Sequence, residues 1–205
     1  MKNCFKILAV ATALFAGMSV ADAQTWMGVK GGYAMSWIRG TVLNSTLEKA
    51  IPHSNGYGGV YAQYCFDGPW IAQAEILYAG KGHTDKNTLT GAIYRRALSY
   101  IQIPLFIGVR GMDDRFNVML GPELGCLLKS VTHENGLKWT STDECRRFNI
   151  AVGLQFNYMF TDNLGADVKF DFGLNKTFVG DYKGVIENKG HNMSVQLGIC
   201  YRFEL

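Results

Sequence analysis

Apolar and polar residues alternate with period two over eight stretches of the chain, the pattern of strands with one face in an apolar medium. The clearest runs Phe148, Ile150, Val152, Leu154, Phe156, Tyr158, Phe160 against Arg147, Asn149, Ala151, Gly153, Gln155, Asn157. Residues 164–175 and 192–205 repeat the scheme, and weaker versions cover 26–38, 57–66, 70–80, 98–110 and 116–128. Each reaches or exceeds the about 9–11 residues that a tilted strand needs to cross a bilayer. The connections alternate long and short: residues 39–56, 81–97, 129–145 and 176–191 against 67–69, 111–115 and 161–163. Short turns at one end and long loops at the other are the habit of outer-membrane barrels, with both termini on the short-turn, periplasmic side. The expected fold is therefore all-β, an eight-stranded antiparallel up-and-down transmembrane β-barrel.

Alternation does not say which face is inside, because a soluble ligand-carrying barrel alternates too. The polar face decides. It mixes Gly28, Gly32, Gly59, Gly108, Gly121, Gly125, Gly153, Gly165, Gly173 and Gly198 with isolated charges, which suits a crowded interior better than a solvated surface. Lys30, Arg110, Arg147, Lys169 and Arg202 stand there against Glu75, Glu123, Asp167 and Asp171, a nearly balanced set expected to pair as a polar plug of the lumen rather than as an ion path. The apolar face then meets lipid. Trp26, Phe66, Trp70, Tyr158 and Phe203 are expected to form an aromatic belt at the periplasmic ends, and Trp37, Tyr57, Tyr78 and Phe178 one at the outer ends. Pro104 and Pro122 each remove a ladder donor inside a strand, for which bulges are the expected remedy.

Composition narrows the reading. Twenty Lys+Arg against 17 Asp+Glu, with no basic run, leave no nucleic-acid footprint. Lys2 and Lys6 precede an apolar run over residues 7–20, and Ala21-Asp22-Ala23 offers a peptidase site. Residues 1–23 are expected to be a signal peptide and residues 24–205 the outer-membrane barrel domain.

The stretch Glu75-Ile76-Leu77-Tyr78-Ala79-Gly80-Lys81-Gly82, followed by Tyr100-Ile101-Gln102-Ile103-Pro104, resembles the third and fourth strands of PorT-family outer-membrane β-barrel proteins. Residues 118–128, 148–175 and the closing Gly198-Ile199-Cys200-Tyr201-Arg202-Phe203 resemble that family as well. The resemblance implies an eight-stranded barrel similar to the OmpA and OmpX transmembrane domains, with no catalytic motif; only some members are linked to secretion and gliding. Gln196, Gly198, Tyr201 and Phe203 are similar to the C-terminal signal read by the barrel-assembly machinery, although Glu204 and Leu205 follow the usual final aromatic. Partners implied by the resemblance are that machinery and the outer-leaflet lipopolysaccharide, with an envelope or secretion protein as a further candidate.

Residues with reactive chemistry point to no enzyme. Cys126 and Cys145 flank one long connection, but parity puts them on opposite faces, so packed thiols are favoured over a disulfide. His53, His83, His133 and His191 fall in four different loops and read as solvated histidines, so no metal and no cofactor is expected. His191 and Ser194 are spaced for opposite faces of a strand, which argues against a nucleophile–base pair. Asp113-Asp114 and Asp143-Glu144 read as turn carboxylates, and Ser45-x-x-Glu48 as the start of a short helix. The expected function is a non-enzymatic anchor in the bacterial outer membrane, with four extracellular loops for surface or partner contact. The alternatives are a narrow channel or small-ligand carrier, and a lipid-modifying enzyme at the outer rim.

Overall fold

The computed structural model describes residues 25–39, 48–87, 93–111, 115–134, 137–140, 142, 145–176 and 191–204. The leader at 1–23, Phe178, Leu205 and the carboxylate pairs Asp113-Asp114 and Asp143-Glu144 lie outside the described residues. The strands are β1 (Thr25–Arg39), β2 (Glu48–Cys65), β3 (Trp70–Asn87), β4 (Ile93–Arg110), β5 (Phe116–Glu134), β6 (Leu137–Thr140), β7 (Phe148–Met159), β8 (Leu164–Lys176) and β9 (His191–Glu204). All pair antiparallel in the order β4-β3-β2-β1-β9-β8-β7-β5, and β4 also pairs with β5, which closes an eight-stranded barrel. The short β6 is a ninth strand that the alternation did not announce; among the described residues it pairs only with the outer part of β5, from Glu134↔Leu137 to Val131↔Thr140.

Several strands outrun the stretches read from the sequence, all at the long-connection end. β2, β3 and β4 have 18 residues each and β5 has 19, whereas β7, β8, β9 and β1 have 12 to 15. With about 3.4 Å per residue and a tilt of about 40°, an 18-residue strand rises about 45 Å, well past the about 25 Å apolar band of such barrels. Backbone pairing continues where the hydrophobic signal stops. For the same reason the expected helix start at Ser45-x-x-Glu48 is overturned at its described end: Glu48 opens β2 and pairs with Asn87.

The two prolines also behave differently from expectation. Pro104 faces Glu123 and Pro122 faces Val152 with no shift of register at either residue. Proline is tolerated where its nitrogen has no ladder partner to serve. Register shifts occur instead between Pro52 and Tyr57, between Ser99 and Tyr100, and between Phe172 and Lys176, on the outer half of the barrel.

The wall is inside-out relative to a soluble domain. Val29, Val60, Ile107, Leu120, Leu197 and Ile199 are all about half exposed, from 46% to 61%, while the alternate positions are buried. Phe66, Trp70, Tyr158 and Phe203 are exposed at the short-turn end and Tyr78 at the other, as interfacial rings are. Trp26 and Tyr57 do not join these belts. They have the inward parity: Tyr57 is buried, and Trp26 packs on a buried cluster at the barrel's lower end.

The barrel interior as candidate functional site

Polar side chains from all eight barrel strands meet in the middle of the lumen. Lys30 on β1 places Nζ 2.8 Å from Glu75 Oε1 of β3 and 3.3 Å from Asp167 Oδ2 of β8, and donates to Gln155 Oε1 of β7 at 3.2 Å. Lys169 on β8 lies 2.8 Å from Glu123 Oε2 of β5 and 3.6 Å from Asp171 Oδ1. Lys81 on β3 reaches the same two carboxylates, 3.1 Å from Glu123 Oε1 and 3.4 Å from Asp171 Oδ2. Every one of these charges is buried, at 5% exposure or less. Neutral groups donate to the same carboxylates, while Glu75 Oε2 and Asp167 Oδ1 accept no hydrogen bond. Gln102 donates to Glu123, Gln73 to Glu75, Tyr57 OH to Asp167 Oδ2 at 3.0 Å, and Ser194 Oγ to Asp171 Oδ2 at 2.7 Å. Gln196 Nε2 bridges Gln102 and Asp171, at 3.2 Å from each. A charge taken out of water is tolerable only when paired and hydrogen-bonded, and the lysine–carboxylate contacts supply this across strands that are distant in sequence.

Of the nine charges expected in the lumen, Lys30, Glu75, Glu123, Asp167, Lys169 and Asp171 lie in this network. The three arginines do not. Arg110 Nη2 donates to the Gly68 carbonyl at 3.0 Å, and Arg202 Nε to the Asp162 carbonyl at 2.7 Å with its guanidinium 4.3 Å above the Trp26 ring. Arg147 is exposed immediately ahead of β7. All three have the inward parity but sit at strand ends, where a guanidinium can reach turn carbonyls or water instead of entering the barrel. Of the assembly-signal residues, Tyr201 and Phe203 are exposed on the wall and Gln196 and Gly198 share the inward parity.

The sequence reading missed Lys81, placed in a loop because Lys81-Gly82-His83-Thr84-Asp85-Lys86 carries no apolar alternation. It also missed how much of the lumen is apolar. Cys65, Ile71, Phe106 and Met119 form one inward cluster, Tyr61, Met159 and Cys200 a second, and Leu98, Tyr100, Leu127 and Cys145 a third. The available signal was glycine. A Cβ on Gly28 would strike the Tyr61 ring, and one on Gly198 the Tyr57 hydroxyl. At Gly153 the clash would be with the Phe106 ring at 2.9 Å. The glycines make room for rings as well as for charges. Gly153→Val is therefore expected to destabilise the folded barrel by about 1–3 kcal/mol through overpacking, read as a lower urea midpoint in lipid vesicles.

The remaining reactive residues are dispersed. Cys145 is a thiol, with Arg96 Nη1 and Ser130 Oγ each 3.8 Å from its sulfur, so it is not joined to Cys126. His53 Nδ1 lies 3.4 Å from Thr84 Oγ1, His191 Nδ1 lies 3.2 Å from the Gly173 carbonyl, and His133 is exposed on β5. Ser194 belongs to the lumen network and makes no pair with His191.

A family model described as "Outer membrane protein beta-barrel domain" matches residues 22–179. No curated protein sequence matches. Among solved structures, the chain is similar to Ail, the attachment invasion locus protein of Yersinia pestis, with 14% identity, a TM-score of 0.50, and coverage of 88% of this chain and 99% of that one. The same Yersinia protein is also known in complex with the heparin analogue sucrose octasulfate. Neisserial surface protein A is similar too, with 13% identity, a TM-score of 0.51, and coverage of 87% and 97%. At such identities the likeness is one of fold.

Proposed function

The chain belongs to the outer membrane protein beta-barrel domain family, and on that premise we propose that it is a non-enzymatic anchor of the bacterial outer membrane. Its barrel holds an extended outer face in place for contact with the envelope or a partner. The observation that carries this reading is the filled lumen: three lysines and four carboxylates bonded across the barrel, flanked by buried apolar clusters that include Phe106, Met119, Leu98 and Tyr100. A water-filled path needs continuous polar lining and free volume. Here the crossing lysines and the rings occupy it. The unequal strands support the same reading, since β2 to β5 carry ordered structure well past the apolar band on the side of the long connections.

In this account the long connections and β6 are extracellular and both mature termini are periplasmic, with residues 1–23 removed as a leader. Lipopolysaccharide surrounds the outer half, and the barrel-assembly machinery reads the segment with Gln196, Gly198, Tyr201 and Phe203. A relation to the PorT family, and with it a secretion partner, is a narrower form of the same proposal. Two measurements test it together. Planar bilayers containing the purified protein should show conductance indistinguishable from background; well-defined single-channel steps would replace the anchor with the channel reading. Protease added to intact cells should cut within the long connections and leave the short turns 66–69 and 160–163 untouched. The reverse pattern would invert the orientation.

A further inference from the structure

The charges of the lumen divide unevenly. Lys81 and Lys169 share Glu123 and Asp171, two cations for two anions. Lys30 alone serves both Glu75 and Asp167, and among the described residues no other cation forms an ion pair with either carboxylate. Arg110 and Arg202, on the same parity, are engaged with turn carbonyls at the strand ends. Because one ammonium touches both carboxylates, the two lie side by side. Glu75 and Asp167 are 0% and 1% exposed, so this part of the interior carries an excess negative charge that water does not screen. A buried charge persists only when something compensates it.

The hydrogen bonds mark the same place independently. Glu75 Oε2 and Asp167 Oδ1 accept no hydrogen bond, although the other oxygen of each carboxylate does. Gln73, 3% exposed, ends against Glu75: its Nε2 donates to Glu75 Oε1, and its own carbonyl oxygen has no donor. A carboxylate only accepts, so the amide must turn its nitrogen to Glu75 and leave its oxygen unserved. Three deeply buried oxygens thus lack a partner where one positive charge is missing. Carboxylate and amide oxygens are the ligands of hard cations. The ammonium of Lys30, already 2.8 Å from Glu75, repels a second charge strongly, and a single positive charge restores neutrality.

We propose that Glu75, Asp167 and Gln73 form a buried site for a monovalent hard cation, sodium, in the periplasmic half of the lumen. Gln73 and Asp167 stand near the short-turn ends of β3 and β8, which begin at Trp70 and Leu164. The ion ties β3 to β8 across the barrel, as the lysines tie other strands, and it makes the plug electrically neutral. The inference goes beyond the anchor reading: the ion is a structural part of the plug and is held, not conducted.

The test is reversible urea unfolding of the protein in lipid vesicles at fixed pH and ionic strength, with sodium chloride progressively replacing choline chloride. Choline's methylated nitrogen cannot coordinate the oxygens, so it supplies charge in solution without occupying the site. The wild-type midpoint is expected to rise with sodium, and above half-saturation each tenfold increase should lower the unfolding equilibrium constant about tenfold. Asp167→Asn leaves one carboxylate for Lys30 at nearly unchanged volume, and is expected to unfold at the same midpoint in both salts. Heat-modifiable gel migration shows whether that variant is folded. If it is not, Gln73→Leu, which keeps every charge, should raise the half-saturating sodium concentration about tenfold or more. A wild-type midpoint that is equal in sodium and choline would assign the three oxygens to water or a proton and overturn the site. A folded Asp167→Asn variant with the wild-type response to sodium would overturn it as well. Single-channel steps in planar bilayers would instead strike the plugged-lumen reading, so the two failures are distinguishable.

Discussion

Glu123→Ala is expected to lower the stability of the folded barrel by about 3–5 kcal/mol, because removing one partner of a buried ionic cluster strands the charges that remain. Glu123 is the hub of the interior: Lys169 binds one carboxylate oxygen at 2.8 Å, Lys81 binds the other at 3.1 Å, and Gln102 donates to the latter. Without it, two buried ammonium groups share only Asp171, at 3.6 and 3.4 Å. Reversible urea unfolding in lipid vesicles, followed by tryptophan fluorescence, measures the loss. Glu123→Gln keeps the volume and one acceptor, so it should cost less than the alanine variant while remaining clearly destabilising. If Glu123→Ala unfolds at the wild-type midpoint, the interior is hydrated rather than packed. The case against a channel would then lose its main support.

Leu197→Arg is expected to cost about 2–4 kcal/mol in a bilayer, the range for an arginine at the midplane of a lipid-facing strand. Leu197 stands midway along β9, opposite Tyr33 on β1 and Val168 on β8, and is 48% exposed on the outer wall. Its neighbour Gln196 is fully buried and bonded into the lumen. A one-residue slip of β9 would therefore send the amide into hydrocarbon and the leucine into the polar network. The same urea titration reads the effect. A neutral Leu197→Arg would mean that this face meets water, as it would in a barrel turned the other way.

The architecture was legible in the sequence because a membrane wall with a polar interior leaves a strong period-two record. Val152, Leu154 and Phe156 could only alternate with Gly153, Gln155 and Asn157 in a strand whose two faces meet different media. The same record fails wherever the outer face meets water and the inner face is polar. From Lys81 to Asn87 and from Ile93 to Ala97, the strands are held by backbone pairing and by polar contacts such as Lys81 with Glu123 and Arg96 with Thr132, so no apolar alternation betrays them, and Lys81 reads as a loop residue. Charges near strand ends were misplaced for a related reason. Parity gives the face a residue shares, not its depth, and Arg110 and Arg202 lie shallow enough to bond the Gly68 and Asp162 carbonyls. The inward rings Tyr57, Tyr61 and Phe106 were obscured because each is complemented by a glycine on another strand, Gly198, Gly28 and Gly153. That match exists only once the register is known.

The direction of the wall can be read without any mutation. With methyl-labelled protein in lipid nanodiscs, acyl-chain protons should show nuclear Overhauser contacts to the methyls of Val29, Val60, Leu197 and Ile199, all exposed, and none to those of Ile71, Leu77 and Leu98, all at 1% exposure or less. Lipid contacts to the second set, or water contacts to the first, would contradict the assignment of faces on which the anchor and the plugged lumen both depend.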